Sequence, residues 1–196
     1  MTPQEEYELG LAFYNGEGQE KNIGEAIKHF EIAANAGNLE AMNKLGVIYA
    51  KEEQYRNLDL SKTFFTKASE LGLAQSTLNL GKISYYKDYG QVDNKKALRY
   101  YEHALKQGSI EAAFLLGNAY YFGERVEQDY SKAIHYLTIA ADGGNRSAYS
   151  ILGESYFCGN GVSQDYNKSF QYYLLGSKAG IAHVKSKFFF NSFQKS

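Results

Sequence analysis

Apolar residues return along this chain at helical spacing, in units of nearly constant length. Leu-Gly pairs fall at Leu9-Gly10, Leu45-Gly46, Leu80-Gly81, Leu116-Gly117 and Leu152-Gly153, spaced 36, 35, 36 and 36 residues apart. A second glycine series, Gly37, Gly72, Gly108, Gly144 and Gly180, runs in phase with the first. Between the two series lie His29-Phe30, Phe64-Phe65, Tyr100-Tyr101, Tyr136-Leu137 and Tyr172-Tyr173, each followed by a small residue at Ala33, Ala68, Ala104, Ala140 or Gly176. A fixed period of this length marks a repeat architecture. Each unit predicts two helices. The first surrounds the Leu-Gly pair, as in Ala112, Leu115, Leu116, Ala119 and Tyr120. The second follows a capping column, Asn22, Asn57, Asp93, Asp129 and Asp165, whose side chains accept from otherwise unpaired amides. It ends at the second glycine series, where left-handed backbone stops a helix. Asn38, Ser109 and Asn145 are then placed to cap the next first helix.

A glycine inside a helix costs about 1 kcal/mol against alanine, so the Leu-Gly glycines imply a close approach between paired helices. No helix pair buries its apolar side alone, and stacking identical units solves this with one continuous core. The expected fold is an all-α solenoid of five helix pairs over residues 4–38, 39–73, 74–109, 110–145 and 146–181, in one domain spanning 1–196. Thr2-Pro3-Gln4-Glu5 has the capping-box pattern with Pro at the first helical position, so the solenoid is expected to start at the chain's beginning. Residues 182–193 begin a sixth first-type helix with Phe188-Phe189 in place of Leu-Gly, read as a cap that closes the core and brings the helices to eleven. Lys51-Glu52-Glu53-Gln54 has lost loop glycines and one residue, which predicts an irregular loop and makes repeat two the weakest unit.

Composition narrows the function. The 21 Lys+Arg and 22 Asp+Glu leave a net charge of −1, too little to steer the chain to nucleic acid or an anionic membrane. One Cys excludes a disulfide framework within the chain, and four scattered His give no metal cluster, so no cofactor or metal is expected. With no 18-residue apolar run and no signal-like start, the reading is a cytoplasmic protein. Residues 1–38 carry seven acids and two Lys, whereas the tail holds Lys185, Lys187 and Lys195, an asymmetry able to orient a partner.

Leu152-Gly153-Glu154-Ser155-Tyr156-Phe157-Cys158-Gly159-Asn160-Gly161-Val162, followed by Asp165-Tyr166, resembles the Sel-one-like repeat (SLR) family, relatives of the tetratricopeptide repeat. The resemblance covers residues 4–181 and implies a right-handed α/α superhelix. Repeat four keeps Gly123, Val126 and Asp129-Tyr130 but has Arg125 where a loop glycine is expected; repeat three has Ser84 where Tyr49, Tyr120 and Tyr156 stand elsewhere.

Taking the repeated leucine as zero, the core positions lie three before, one after and four after it. Two before, two after and five after fall on the opposite side of the helix. These opposite positions hold Tyr7, Leu11 and Tyr14; Asn43, Val47 and Ala50; Leu78, Lys82 and Tyr85; Phe114, Asn118 and Tyr121; Ser150, Glu154 and Phe157. The aromatic column Tyr14, Tyr85, Tyr121 and Phe157, interrupted at Ala50, suits recognition, since rings bury much area with few rotatable bonds. The alternative is that neighbouring first helices cover these rings as packing. The resemblance implies that this face lines a concave groove gripping a protein partner. It further implies an adaptor, or an immunity protein that neutralises a toxin or effector enzyme. The competing class is a hydrolase of β-lactam or cell-wall amides, an activity suggested for some relatives. Ser84-x-x-Lys87 and Ser192-x-x-Lys195 match only the start of a serine acyl-transfer pattern. His29, His103, His135 and His183 sit at different phases, and Cys158 is expected to be a free, partly buried thiol without an activating base.

Overall fold

The computed structural model of the protein describes residues 1–86, 89–90 and 92–177. Among them are ten α-helices and no strand: α1 (Pro3–Asn15), α2 (Ile23–Asn35), α3 (Leu39–Lys51), α4 (Leu58–Glu70), α5 (Ala74–Tyr85), α6 (Asn94–Lys106), α7 (Ile110–Phe122), α8 (Tyr130–Asp142), α9 (Arg146–Cys158) and α10 (Tyr166–Gly176). The expected terminal helix over 182–193 lies outside the described residues. The chain forms two compact units, Met1–Gly108 with three helix pairs and Ser109–Ser196 with two further pairs. No helix among the described residues is long and apolar enough to cross a membrane.

Capping starts the helices where the sequence places it. Asn22, Asn57, Asp93, Asp129 and Asp165 each accept from a backbone amide of the second helix they precede. Asn38, Ser109 and Asn145 do the same for α3, α7 and α9. Thr2 and Glu5 form the reciprocal capping box of α1. Gly37, Gly72, Gly108 and Gly144 end the second helices with φ between 83° and 95°.

Within each pair, the Leu-Gly glycine lets a second-helix side chain touch the first-helix backbone. A Cβ on Gly46 would stand 2.6 Å from the Phe65 ring, on Gly81 2.5 Å from Tyr101, and on Gly117 2.7 Å from Leu137. Gly10 and Gly153 meet Phe30 and Tyr173 in the same way. Phe30, Phe65, Tyr101 and Leu137 are buried, as are Leu45, Leu116 and Leu152 of the repeated leucine. A small-residue column seals the approach: Ala26, Ser61, Ala97, Ala133 and Ser169 are wholly buried. The Ser61 hydroxyl donates to the Gly46 carbonyl and the Ser169 hydroxyl to the Gly153 carbonyl, both at 2.7 Å. The small side chain therefore both admits the neighbouring helix and satisfies its own polar atom.

The loops follow glycine content. α1, α7 and α9 end at Gly16, Gly123 and Gly159 in the left-handed region. Repeat two lacks that glycine: Glu52 is extended, and a 3-10 turn over Glu53–Tyr55 leads to α4. Arg125 takes φ 64° at the phase where Gly18 and Gly161 take 72° and 73°. A side chain in this region costs roughly 1–2 kcal/mol.

Candidate functional site

In the first unit, Tyr7, Leu11 and Tyr14 of α1 are half-buried and pack on the core of the first two repeats. The Tyr14 hydroxyl donates to Glu52 Oε1 at 3.2 Å, joining repeat one to repeat two. Lys21 and Lys44 place their ammonium groups 5.4 and 5.8 Å from the Tyr14 ring. Burial foremost, with the Glu52 charge and hydrogen bond, raises the Tyr14 phenol above its usual range. Val47 and Lys82 are half-buried.

Other positions on this face belong to the packing. Leu78 is wholly buried, Ala50 and Tyr85 are buried, and Asn43 is buried with its Oδ1 accepting from Ser76 Oγ and Asn79 Nδ2, both at 3.0 Å. The helical phase assigned them to the side away from the core; the next repeat's first helix, α5, covers Asn43, and Tyr85 packs against Tyr101 of α6 with ring centroids 6.2 Å apart.

In the second unit, Phe114, Asn118, Glu154 and Phe157 are half-buried and Ser150 is exposed. Tyr121 is buried at 8% exposure. Its ring stands edge-on to Phe122 and Tyr130, and its hydroxyl accepts from Asn160 Nδ2 at 3.3 Å, linking repeat four to repeat five. Phe157 stands edge-on to Tyr166. Thus the column read as Tyr14, Tyr85, Tyr121 and Phe157 keeps accessible rings at Tyr14 and Phe157, while Tyr85 and Tyr121 act as packing.

A second set of rings, placed in the core by phase, is instead half-buried. Phe13 stacks on His29, Tyr49 on Phe64, Tyr120 on Tyr136 and Tyr156 on Tyr172, with interplanar angles of 4° to 10°. Lys132 and Lys168 lie over Tyr120 and Tyr156 at 5.1 and 5.3 Å. The Tyr49 hydroxyl donates to Glu31 at 3.3 Å. Rings stacked between the two helices of one repeat cannot be told from rings turned into the core by spacing alone.

The titratable groups are committed locally. Glu6, at a phase where the other repeats hold Met42, Thr77, Ala113 and Tyr149, is buried and meets His29 Nδ1 at 2.8 Å. Glu154 accepts from the Tyr173 hydroxyl at 2.5 Å, and burial with this bond pushes the Tyr173 phenol well above its usual range. Cys158 is exposed, not partly buried, and its thiol reaches Glu154 Oε1 at 3.5 Å. It is the last residue of α9, directly before Gly159 in the left-handed region. The Ser84 hydroxyl donates to the Leu80 carbonyl of its own helix; Lys87, His183, Ser192 and Lys195 lie outside the described residues. Among the described residues no three His, Cys, Asp or Glu side chains group as a metal site would.

The geometry has counterparts among known proteins. The structure of c5321, a protective antigen present in uropathogenic Escherichia coli strains displaying an SLR fold, superposes with a TM-score of 0.83 at 27% identity. That match covers 93% of this chain and 39% of c5321, so the chain spans well under half of that protein. A Sel1 repeat protein from Oxalobacter formigenes gives 0.78 at 26% identity, over 93% of this chain and 73% of the other. Immunity protein Pa5087 from Pseudomonas aeruginosa shares the fold with a TM-score of 0.60 at 22% identity, over 89% and 67%. Residues 6–38, 39–73, 74–109, 110–145 and 146–181 each match the Sel1 repeat, and with the glycine-mediated helix pairs and capping columns above, this all-α solenoid chain belongs to the Sel1 repeat family.

Proposed function

We propose that the chain is a non-catalytic binding protein that holds a protein partner against the first-helix face of its repeats, the partner being a toxin or effector enzyme that it neutralises. Sel1 repeat proteins typically mediate protein–protein interaction. The observation that carries the reading is the recurrence, in each unit taken by itself, of accessible apolar and aromatic side chains on one face of the first helices: Leu11, Tyr14 and Val47 in the first, Phe114 and Phe157 in the second. Half-exposed groups of this kind supply contact area at little conformational cost. The choice of partner class draws on the immunity protein of the same fold. The test is capture of partners on the tagged chain from its native cell. Leu11→Asp, Val47→Asp and Phe114→Asp are expected to lose the partner by roughly tenfold or more, the effect of truncating an interface anchor. Lys62→Asp and Lys95→Asp, exposed on second helices, should retain it. Retention by the first three, with circular dichroism unchanged, would move the site to the second-helix face.

A further inference from the structure

Asparagine stands directly before glycine twice in the chain, at Asn15-Gly16 and Asn160-Gly161. Such a pair has a reactivity of its own. The main-chain nitrogen of the second residue can close a five-membered ring on the asparagine Cγ, and glycine, having no Cβ, screens that nitrogen least. Ring closure needs the nitrogen released from hydrogen bonding and a main chain free to leave helical geometry.

The two pairs are held differently. Asn15 is the last residue of α1, and the Gly16 and Glu17 amides both donate to the Ala12 carbonyl, at 2.9 and 3.0 Å. Its side chain is tied as well, Nδ2 donating to Glu17 Oε1 at 2.8 Å. Asn160 lies beyond α9, between Gly159 and Gly161 with φ 80° and 73°. Its own amide donates to the Ser155 carbonyl at 3.0 Å, whereas the Gly161 amide donates to no group among the described residues. A single bond of 3.3 Å, from Nδ2 to the Tyr121 hydroxyl, holds the side chain. Exposure points the other way, since Asn15 is exposed and Asn160 half-buried. Hydrogen bonding decides, because ring closure is intramolecular and water is consumed only afterwards, beside Gly161, which is exposed.

We propose that Asn160 is a site of spontaneous deamidation, and that its isoaspartate product loosens the junction of repeats four and five. Gly161 N bonds to Asn160 Cγ as the Cγ–Nδ2 bond breaks. The side-chain nitrogen leaves as ammonia, with the proton given up by the Gly161 amide. Water then opens the cyclic imide: attack at Cγ gives aspartate, and attack at the main-chain carbonyl gives isoaspartate, whose main chain is longer by a methylene. Both products add a negative charge, and nothing is oxidised or reduced. The longer chain does not fit, because Gly161 already lies against the first turn of α8, where even a Cβ would stand 2.8 Å from the Tyr130 carbonyl oxygen. The loop has to lift, and the bond between Asn160 and Tyr121 is lost with it.

The test incubates the full chain in mildly alkaline buffer, folded and in urea, and follows both pairs by peptide mass spectrometry and by enzymatic methylation of isoaspartate. In the folded chain Asn160 should convert while Asn15 lags by roughly fivefold or more, the factor carried by the hydrogen bond that must first open at Gly16. In urea the two should convert at similar rates. Asn160→Gln should keep the fold and show no conversion in this loop. The isoaspartate form, separated by its added charge, should exchange amide hydrogens faster than the unmodified chain in the loop after α9 and in the first turn of α8. The assignment is overturned if Asn15 converts as fast as Asn160 in the folded chain, or if urea releases both reactions and the folded chain shows neither. An isoaspartate form that exchanges like the unmodified chain would overturn it too.

Discussion

Alanine at Tyr85 or at Tyr121 is expected to lower stability by about 3–5 kcal/mol at each site, the usual cost of removing a buried ring. Both side chains are 8% exposed. Tyr85 is wedged against Tyr86 and Tyr101, and Tyr121 against Phe122 and Tyr130. The loss combines transfer of apolar area with a cavity that a rigid helix pair cannot fill. Tyr121→Ala also strands the Asn160 amide that the hydroxyl accepts. Phenylalanine keeps the ring, so Tyr85→Phe should stay within about 1 kcal/mol of the parent, the usual worth of a hydrogen bond. Urea unfolding separates the two substitutions. An alanine variant that unfolds at the parental midpoint would mean that the rings are solvent groups available to a partner.

Gly46→Ala should destabilise the chain even though alanine is the better helix former. The intrinsic gain is about 1 kcal/mol, while overpacking a filled core costs typically 1–3 kcal/mol. Here the new methyl would stand 2.6 Å from two ring carbons of Phe65, itself 2% exposed. Relief requires the ring to leave its packed position or the two helices to part. Repeat four shows that leucine leaves no more room, since a Cβ on Gly117 would stand 2.7 Å from Leu137, so Phe65→Ala is the compensating change. The double variant should be more stable than the sum of the two single losses predicts, with a coupling of roughly 0.5–3 kcal/mol. Simple additivity would mean that glycine at this phase serves something other than the close contact.

Much of this architecture was legible because it depends on residues with few alternatives. The Leu-Gly series and the two capping columns each satisfy a local requirement, close approach or an unpaired amide, and each falls where the period puts it. The helical wheel was less informative about the faces. Tyr49, Tyr120 and Tyr156 were assigned inward by angle, yet they stack against second-helix rings and remain half-exposed. Leu78 and Asn43 were assigned outward, yet they are buried. A solenoid helix has neighbours on two sides, its own partner and the next repeat, and one angle from a single leucine does not separate them. Glu6 in a core phase was legible only in retrospect, through its hydrogen bond with His29. Ala50, by contrast, was visible as a break in the aromatic column, and it lines a depression of about 100 Å³ within the first unit.

The most direct measurement places a photo-crosslinking amino acid at one residue at a time in the native cell and asks which positions capture a protein. Leu11 and Asn118, half-buried on first helices, are to be compared with Lys28 and Ser131, exposed on second helices. Adducts with the same partner from Leu11 and Asn118, and none from Lys28 or Ser131, are the predicted result. Adducts from Lys28 and Ser131 with none from the first-helix positions would contradict it.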